Sequence, residues 1–229
     1  MMNNWWVHQQ YYEGGISLVV GWAFWVILSI TLHELAHGWA ALRQGDTTPR
    51  DTGHMTWDPL VHMGGMSLIM FALIGIAWGM MPTDPSRYRS GRKGRAIVAF
   101  AGPAMNLLLA FGALTTLGIM LACGAQNSES DAVGRLIDFF FLGGVLNLVL
   151  FGLNLLPVPP LDGSQILMGL SQKFYIWFHN PVFRQYAFFA VLALFFITPL
   201  GSVAFRSAQY ISLLYLLLFP DGSAEVVGS

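Results

Sequence analysis

Ile16 to Leu32 is an unbroken run without a charged side chain, and five further apolar stretches follow it. These are Gly64 to Pro82, Ala96 to Cys123, Phe139 to Leu156, Tyr186 to Thr198, and Ser202 to Phe219, the last interrupted by Arg206 near its start. Continued as helix to Arg43, the first run is roughly 42 Å long at 1.5 Å per residue. A bilayer's hydrocarbon slab is about 30 Å thick, so the run is longer than a crossing requires. Only 10% of the 229 residues are charged, against about 25% in a soluble domain. A chain this poor in charge cannot build a water-facing surface, which excludes soluble, disordered and fibrous classes. The pattern predicts an α-helical polytopic membrane protein with about five to six transmembrane helices in a single domain, residues 1–229. The motif-bearing core covers about 16–163. The breaker cluster Thr198-Pro199-Leu200-Gly201 predicts a C-terminal helical hairpin over about 186–219.

The formal net charge of −1 gives no electrostatic footprint for nucleic acid. A single cysteine, Cys123, forbids an internal disulfide and a cysteine-rich zinc site. Trp5, Trp6, Tyr11 and Tyr12 read as an interfacial aromatic belt ahead of the first span. Arg87, Arg89, Arg92, Lys93 and Arg95 crowd the loop from Thr83 to Arg95, which places that loop in the cytoplasm. The loop from Gly124 to Asp138, with three acids against Arg135, then lies outside. The first helix runs from outside to inside. If Gly64 to Pro82 crossed fully, the basic loop would be on the wrong side. That segment is therefore expected to dip in and return, which irregular backbone can do only where protein or a cavity covers it. Gln44 to Met63 reads as loop or strand, and the glycine pair Gly64-Gly65 disfavours a helix start. The expectation is a membrane re-entrant, β-like segment near residues 47–82.

Near the inner end of the first run stands His33-Glu34-Leu35-Ala36-His37. Residues four apart share a helical face, so His33 and His37 can offer imidazole nitrogens to one tetrahedral Zn²⁺. Glu34 lies about 100° round from His33, placed to act as general base on a water that the metal activates. With 6 His in the chain, chance composition yields about 0.003 copies of this pattern. Ionisable groups within a span are costly and mark function, which sets the motif apart from stray polar residues at a membrane end.

A catalytic zinc site takes three protein ligands and keeps one position open. Across Phe139 to Gln172 the one ionisable side chain is Asp162, in Asn154-Leu155-Leu156-Pro157-Val158-Pro159-Pro160-Leu161-Asp162-Gly163. The prolines impose an extended turn that can aim Asp162 into the protein. Asp162 can cap the helix that follows or complete the ligand set. Beside an incomplete His-x-x-x-His pair, ligation is favoured.

With Ala101-Gly102-Pro103-Ala104-Met105-Asn106 between them, these motifs resemble the site-2 proteases, the zinc intramembrane metalloproteases, in compact form without PDZ or CBS domains. The three motifs occur in family order over residues 33 to 163. The resemblance implies one Zn²⁺ per chain, held by His33, His37 and Asp162, with Glu34 activating the water. It implies that Asn154, eight residues before the aspartate, holds the substrate backbone or the oxyanion. The segment around Gly64 and Gly65 is similar to the family's re-entrant β element, which pairs with an unwound substrate strand. Substrates are then transmembrane proteins, cut within or near a membrane helix. The expected location is the bacterial cell (inner) membrane, multi-pass, with the active site toward the cytoplasmic side.

Other polar residues have plainer roles. Asn106 and Asn147 are expected to bond between membrane helices. His54, His62 and His179 fit boundary positions. Met63, Met66, Met70, Met80 and Met81 supply adaptable packing. The basic cluster is a topology anchor facing membrane lipid. Two other functions use similar ligands. A zinc transporter needs no general base, which Glu34 argues against, and the prenyl-protein endopeptidases share the His-Glu-x-x-His pattern but not the Asn154 to Gly163 motif.

Overall fold

The computed structural model describes residues 6–178 and 199–219, with isolated positions between them. Among the described residues all regular structure is helical: α1 (Trp6–Gln44), α2 (Thr48–Asp51), α3 (Pro59–Ile74), α4 (Gly91–Ala122), α5 (Asp131–Asn154), α6 (Asp162–Leu170), α7 (Gln172–Phe178) and α8 (Leu200–Leu216). Of these, α1, α4 and α5 are long and apolar enough to cross a membrane. The first limb of the expected hairpin, 186–198, falls outside the described residues apart from isolated positions, as does His179.

Glycine decides how α1 begins. Gly14 and Gly15 leave helical geometry, Gly15 at φ +67°, so the straight membrane helix starts near the predicted Ile16. Trp6, expected at the lipid interface, is half-buried and packs on α3. Its indole donates to Ala72 O at 3.3 Å and its ring lies 4.9 Å from that of Phe71. Trp25, Val26 and Ile30 of α1, Phe71 of α3, Ala113 of α4 and Leu146 of α5 form the main apolar core. Small residues let these helices close on each other, as is usual where lipid removes the hydrophobic drive for association. A Cβ on Gly144 would collide with Leu114, and one on Gly143 would collide with the Trp25 ring.

The expected β-like segment is mostly helix. Asp58 caps α3 by accepting from Leu60 N at 2.9 Å, Pro59 opens it, and Gly75 at φ +76° ends it. The polar backbone of a segment surrounded by apolar groups must satisfy its own hydrogen bonds, and a helix does so without a partner strand. At 16 residues α3 is about 24 Å long, short of the slab. After Gly75 the chain is extended and runs back along α3. Ser67 Oγ donates to Trp78 O at 2.7 Å and accepts from Trp78 N at 2.8 Å, while Met80 N donates to His62 O at 2.9 Å. The glycine pair acts as a single break inside the helix, with Gly64 at φ +68°.

Candidate active site

The predicted ligands come from two helices far apart in sequence. His33 and His37 lie one turn apart on the buried face of α1, and Asp162 opens α6. His33 Nε2 lies 3.0 Å from Asp162 Oδ2, His37 Nε2 3.4 Å from Asp162 Oδ1, and the two Nε2 atoms 3.0 Å apart. Tetrahedral zinc with bonds of 2.0–2.1 Å sets its ligand atoms roughly 3.3 Å apart, so the triangle has the right size. The other ring nitrogens face acceptors: His33 Nδ1 meets Asn106 Oδ1 at 2.6 Å and His37 Nδ1 meets Val98 O at 2.7 Å. Both rings therefore carry their protons on Nδ1 and turn Nε2 lone pairs toward the carboxylate. Two imidazole Nε2 atoms and a carboxylate converging at these distances are a donor set that a dication satisfies. Asp162 does not cap α6; Leu161 occupies the cap position without a side-chain bond.

Helix α4 forms the floor of this site. A Cβ on Gly102 would fall 2.5 Å from His33 Nε2 and would also strike His37 Nε2, so glycine alone lets α4 pass here. Pro103 follows inside the helix and cannot donate to the carbonyl four residues back, a local break in the ladder beside Val98 O, which serves His37. Asn106, expected to pack between helices, is fully buried and bonds His33 directly. Its position one turn beyond Gly102, on the same face, was the available signal.

Gly163 explains the dipeptide after the loop: a Cβ there would run into the carbonyls of Leu155 and Leu156, so the proline-rich turn can fold back on its own entry. Asn154, the last residue of α5, donates from Nδ2 to Leu150 O at 3.0 Å. Among the described contacts its side chain is held by its own helix and does not join the triad. Gly64 and Gly65 also stand apart: a Cβ at either meets nothing within 4 Å. Besides Gly102, the glycine at the site is Gly79, in the extended stretch after α3, where a Cβ would lie 2.6 Å from Glu34 Cγ and Oε1. Nothing local in the sequence distinguishes Gly79 from the other glycines. His62, expected at a boundary, is buried instead and bonds Thr56 O through Nε2 at 2.7 Å. Of the methionines, Met81 together with Met55 packs against Gly38, one residue beyond His37.

Outside the site, Asp46 is fully buried and fastens the turn after α1. It accepts from Thr48 N at 3.0 Å, Thr48 Oγ1 at 2.5 Å and Asp84 N at 2.7 Å. The hydroxyl and amide of Ser86 hold the exposed Asp84 carboxyl below the usual carboxylate range. Part of the basic cluster is used internally. Arg87 pairs with Asp84 at 3.2 Å, Arg92 donates to Gln172 at 2.7 Å and Arg95 to Gln165 at 3.1 Å.

The model of peptidase family M50 matches residues 21–127 and 118–198. The chain belongs to peptidase family M50. It is 36% identical over 188 residues to "Putative zinc metalloprotease YwhC" of Bacillus subtilis, covering 82% of this chain and 84% of that protein. It is 31% identical to "Putative zinc metalloprotease Rip2" of Mycolicibacterium smegmatis, over 65% of this chain and 54% of the relative. It is 25% identical to "Zinc metalloprotease MJ0392" of Methanocaldococcus jannaschii, over 70% of this chain and 39% of the relative. No solved structure matches. The M50 chain is thus a membrane metallopeptidase, with three helices able to cross a bilayer and a His33, His37, Asp162 donor set suited to Zn²⁺.

Proposed function

We propose that this M50 chain is an intramembrane zinc endopeptidase that hydrolyses a peptide bond within or near a transmembrane helix of another protein. The convergence of His33, His37 and Asp162 beside Glu34, with both histidines and the glutamate on a helix able to cross a membrane, is the observation that carries this reading. When bound there, zinc supplies Lewis acidity to a peptide carbonyl and acidity to a water. Glu34 takes the proton of the attacking water and passes it to the leaving amine nitrogen. His33 and His37 keep their Nδ1 protons throughout, because those protons are committed to Asn106 and Val98. Asn154 is the proposed donor to the developing oxyanion, using the amide hydrogen that its bond to Leu150 leaves free. Residues 59–82 enter and leave at the same end, which fits a re-entrant element rather than a crossing. An unwound substrate can add to this region as a strand. All of residues 1–229 act as one domain in the bacterial inner membrane, with the active site toward the cytoplasm, as the basic 83–95 loop implies.

The test uses purified protein in lipid nanodiscs with a generic transmembrane substrate and parallel metal analysis. Wild type should bind zinc near 1:1 and cleave. Glu34→Gln should retain zinc and lose cleavage, because it removes the base and no ligand. Substantial residual cleavage in Glu34→Gln would remove Glu34 as the base, and a wild type that binds zinc without cleaving would favour a transporter.

A further inference from the structure

We infer that Asn147, on α5 and remote from the metal ligands, is a positioning residue that fixes which nitrogen of His33 is free to bind metal. This deepens the zinc reading of the site and rests on it. Three buried groups stand in line behind His33. Asn106 Oδ1 lies 2.6 Å from His33 Nδ1, Asn106 Nδ2 donates to Asn147 Oδ1 at 3.1 Å, and Asn147 Nδ2 donates to Gly143 O at 2.9 Å. Both asparagines are fully buried, so water does not compete for these bonds.

The line has a direction, and the backbone sets it. An amide side chain can turn either its oxygen or its NH₂ to a neighbour, and a neutral imidazole can carry its proton on either nitrogen. Gly143 O can only accept. Asn147 must therefore present NH₂ to it, which leaves Asn147 Oδ1 facing Asn106. Asn106 must in turn present its NH₂ to Asn147, which leaves Asn106 Oδ1 facing His33. His33 must then hold its proton on Nδ1, and Nε2 keeps the lone pair that points at Asp162. His37 reaches the same tautomer in one step, from Val98 O. His33 reaches it in three, through two helices that carry no ligand. Without Asn147, Asn106 is free to rotate and offer NH₂ to His33, which would move the imidazole proton to Nε2 and block the metal.

Zinc affinity, measured by chelator competition on the metal-stripped full chain in detergent, tests this without relying on catalysis. Asn147→Ala should weaken zinc about 10- to 100-fold, the range for loss of a group that orients a metal-bound histidine; Asn147→Leu serves if the alanine cavity prevents folding. Asn147→Asp should stay within about threefold of wild type, since a carboxyl oxygen still accepts from Asn106 and, protonated, donates to Gly143 O. In an Asn106→Leu background, Asn147→Ala should weaken zinc no further, because the line is already cut. Unchanged zinc in Asn147→Ala, a loss in Asn147→Asp equal to that in Asn147→Ala, or additive losses in the double variant would each overturn the relay. Failure of wild type to bind zinc would instead remove the underlying metal assignment.

Discussion

A Cβ placed on Gly79 would lie 2.6 Å from both Cγ and Oε1 of Glu34. The extended stretch after α3 therefore rests against the proposed catalytic acid, and neighbouring bonds hold it there: Trp78 to Ser67 on one side and Met80 to His62 on the other. Glu34 is confined between its own helix and this backbone. Gly79→Val should displace either the carboxylate or the strand, and a misplacement of about 1 Å at a reacting centre costs on the order of 10²-fold in rate. The expected result is a fall in kcat of that order with zinc content unchanged. Wild-type kcat in Gly79→Val would mean that the strand swings clear of Glu34 before catalysis.

Asp162→Asn replaces the charged member of the triad with a neutral amide of the same shape. The carboxylate lies within 3.0 Å and 3.4 Å of the two imidazoles, so the change removes the negative charge that offsets the dication. Zinc stoichiometry at submicromolar free metal should drop well below that of wild type. Full zinc in this variant would mean that another residue supplies the third ligand.

Asp46→Ala bears on stability alone. The substitution leaves Thr48 N and Asp84 N without their acceptor, and each lost bond to a charged group is worth about 1.5–3 kcal/mol. The thermal unfolding midpoint in detergent should fall, and the turns at 45–52 and 83–87 should become more sensitive to protease. An unchanged midpoint would show that the neighbouring pair Arg87–Asp84 holds these turns without Asp46.

Ser90 and Ser130 report topology, because both are exposed and flank α4 and α5. In a Cys123→Ser background, single cysteines are introduced at each position and labelled in intact cells with an impermeant reagent. Ser130→Cys should react and Ser90→Cys should be shielded. Strong labelling of Ser90→Cys from outside would invert the loop assignment and place the metal near the opposite face.

Sequence alone determined what depends on neighbours along the chain. Run length and missing charge define the helices able to cross, and the four-residue interval of His33 and His37 puts both rings on one face whatever α1 packs against. The lone carboxylate of Asp162 in an apolar stretch marked it as a candidate third ligand for the same reason, since nothing near it in sequence could neutralise it. The tertiary structure decided everything that depends on how closely two distant segments approach. Asn106 meets His33 across 73 positions and Asn147 across a further 41, so the sequence marks the two asparagines as interhelical but not which partners they bond. Gly79 looks like an ordinary glycine until the returning segment is set against α1, and the reason for Gly102 shows only once α4 lies against the histidines. The 59–74 segment became helix where a β-like segment was expected because helical bonding satisfies the polar backbone groups of an apolar segment within the segment itself.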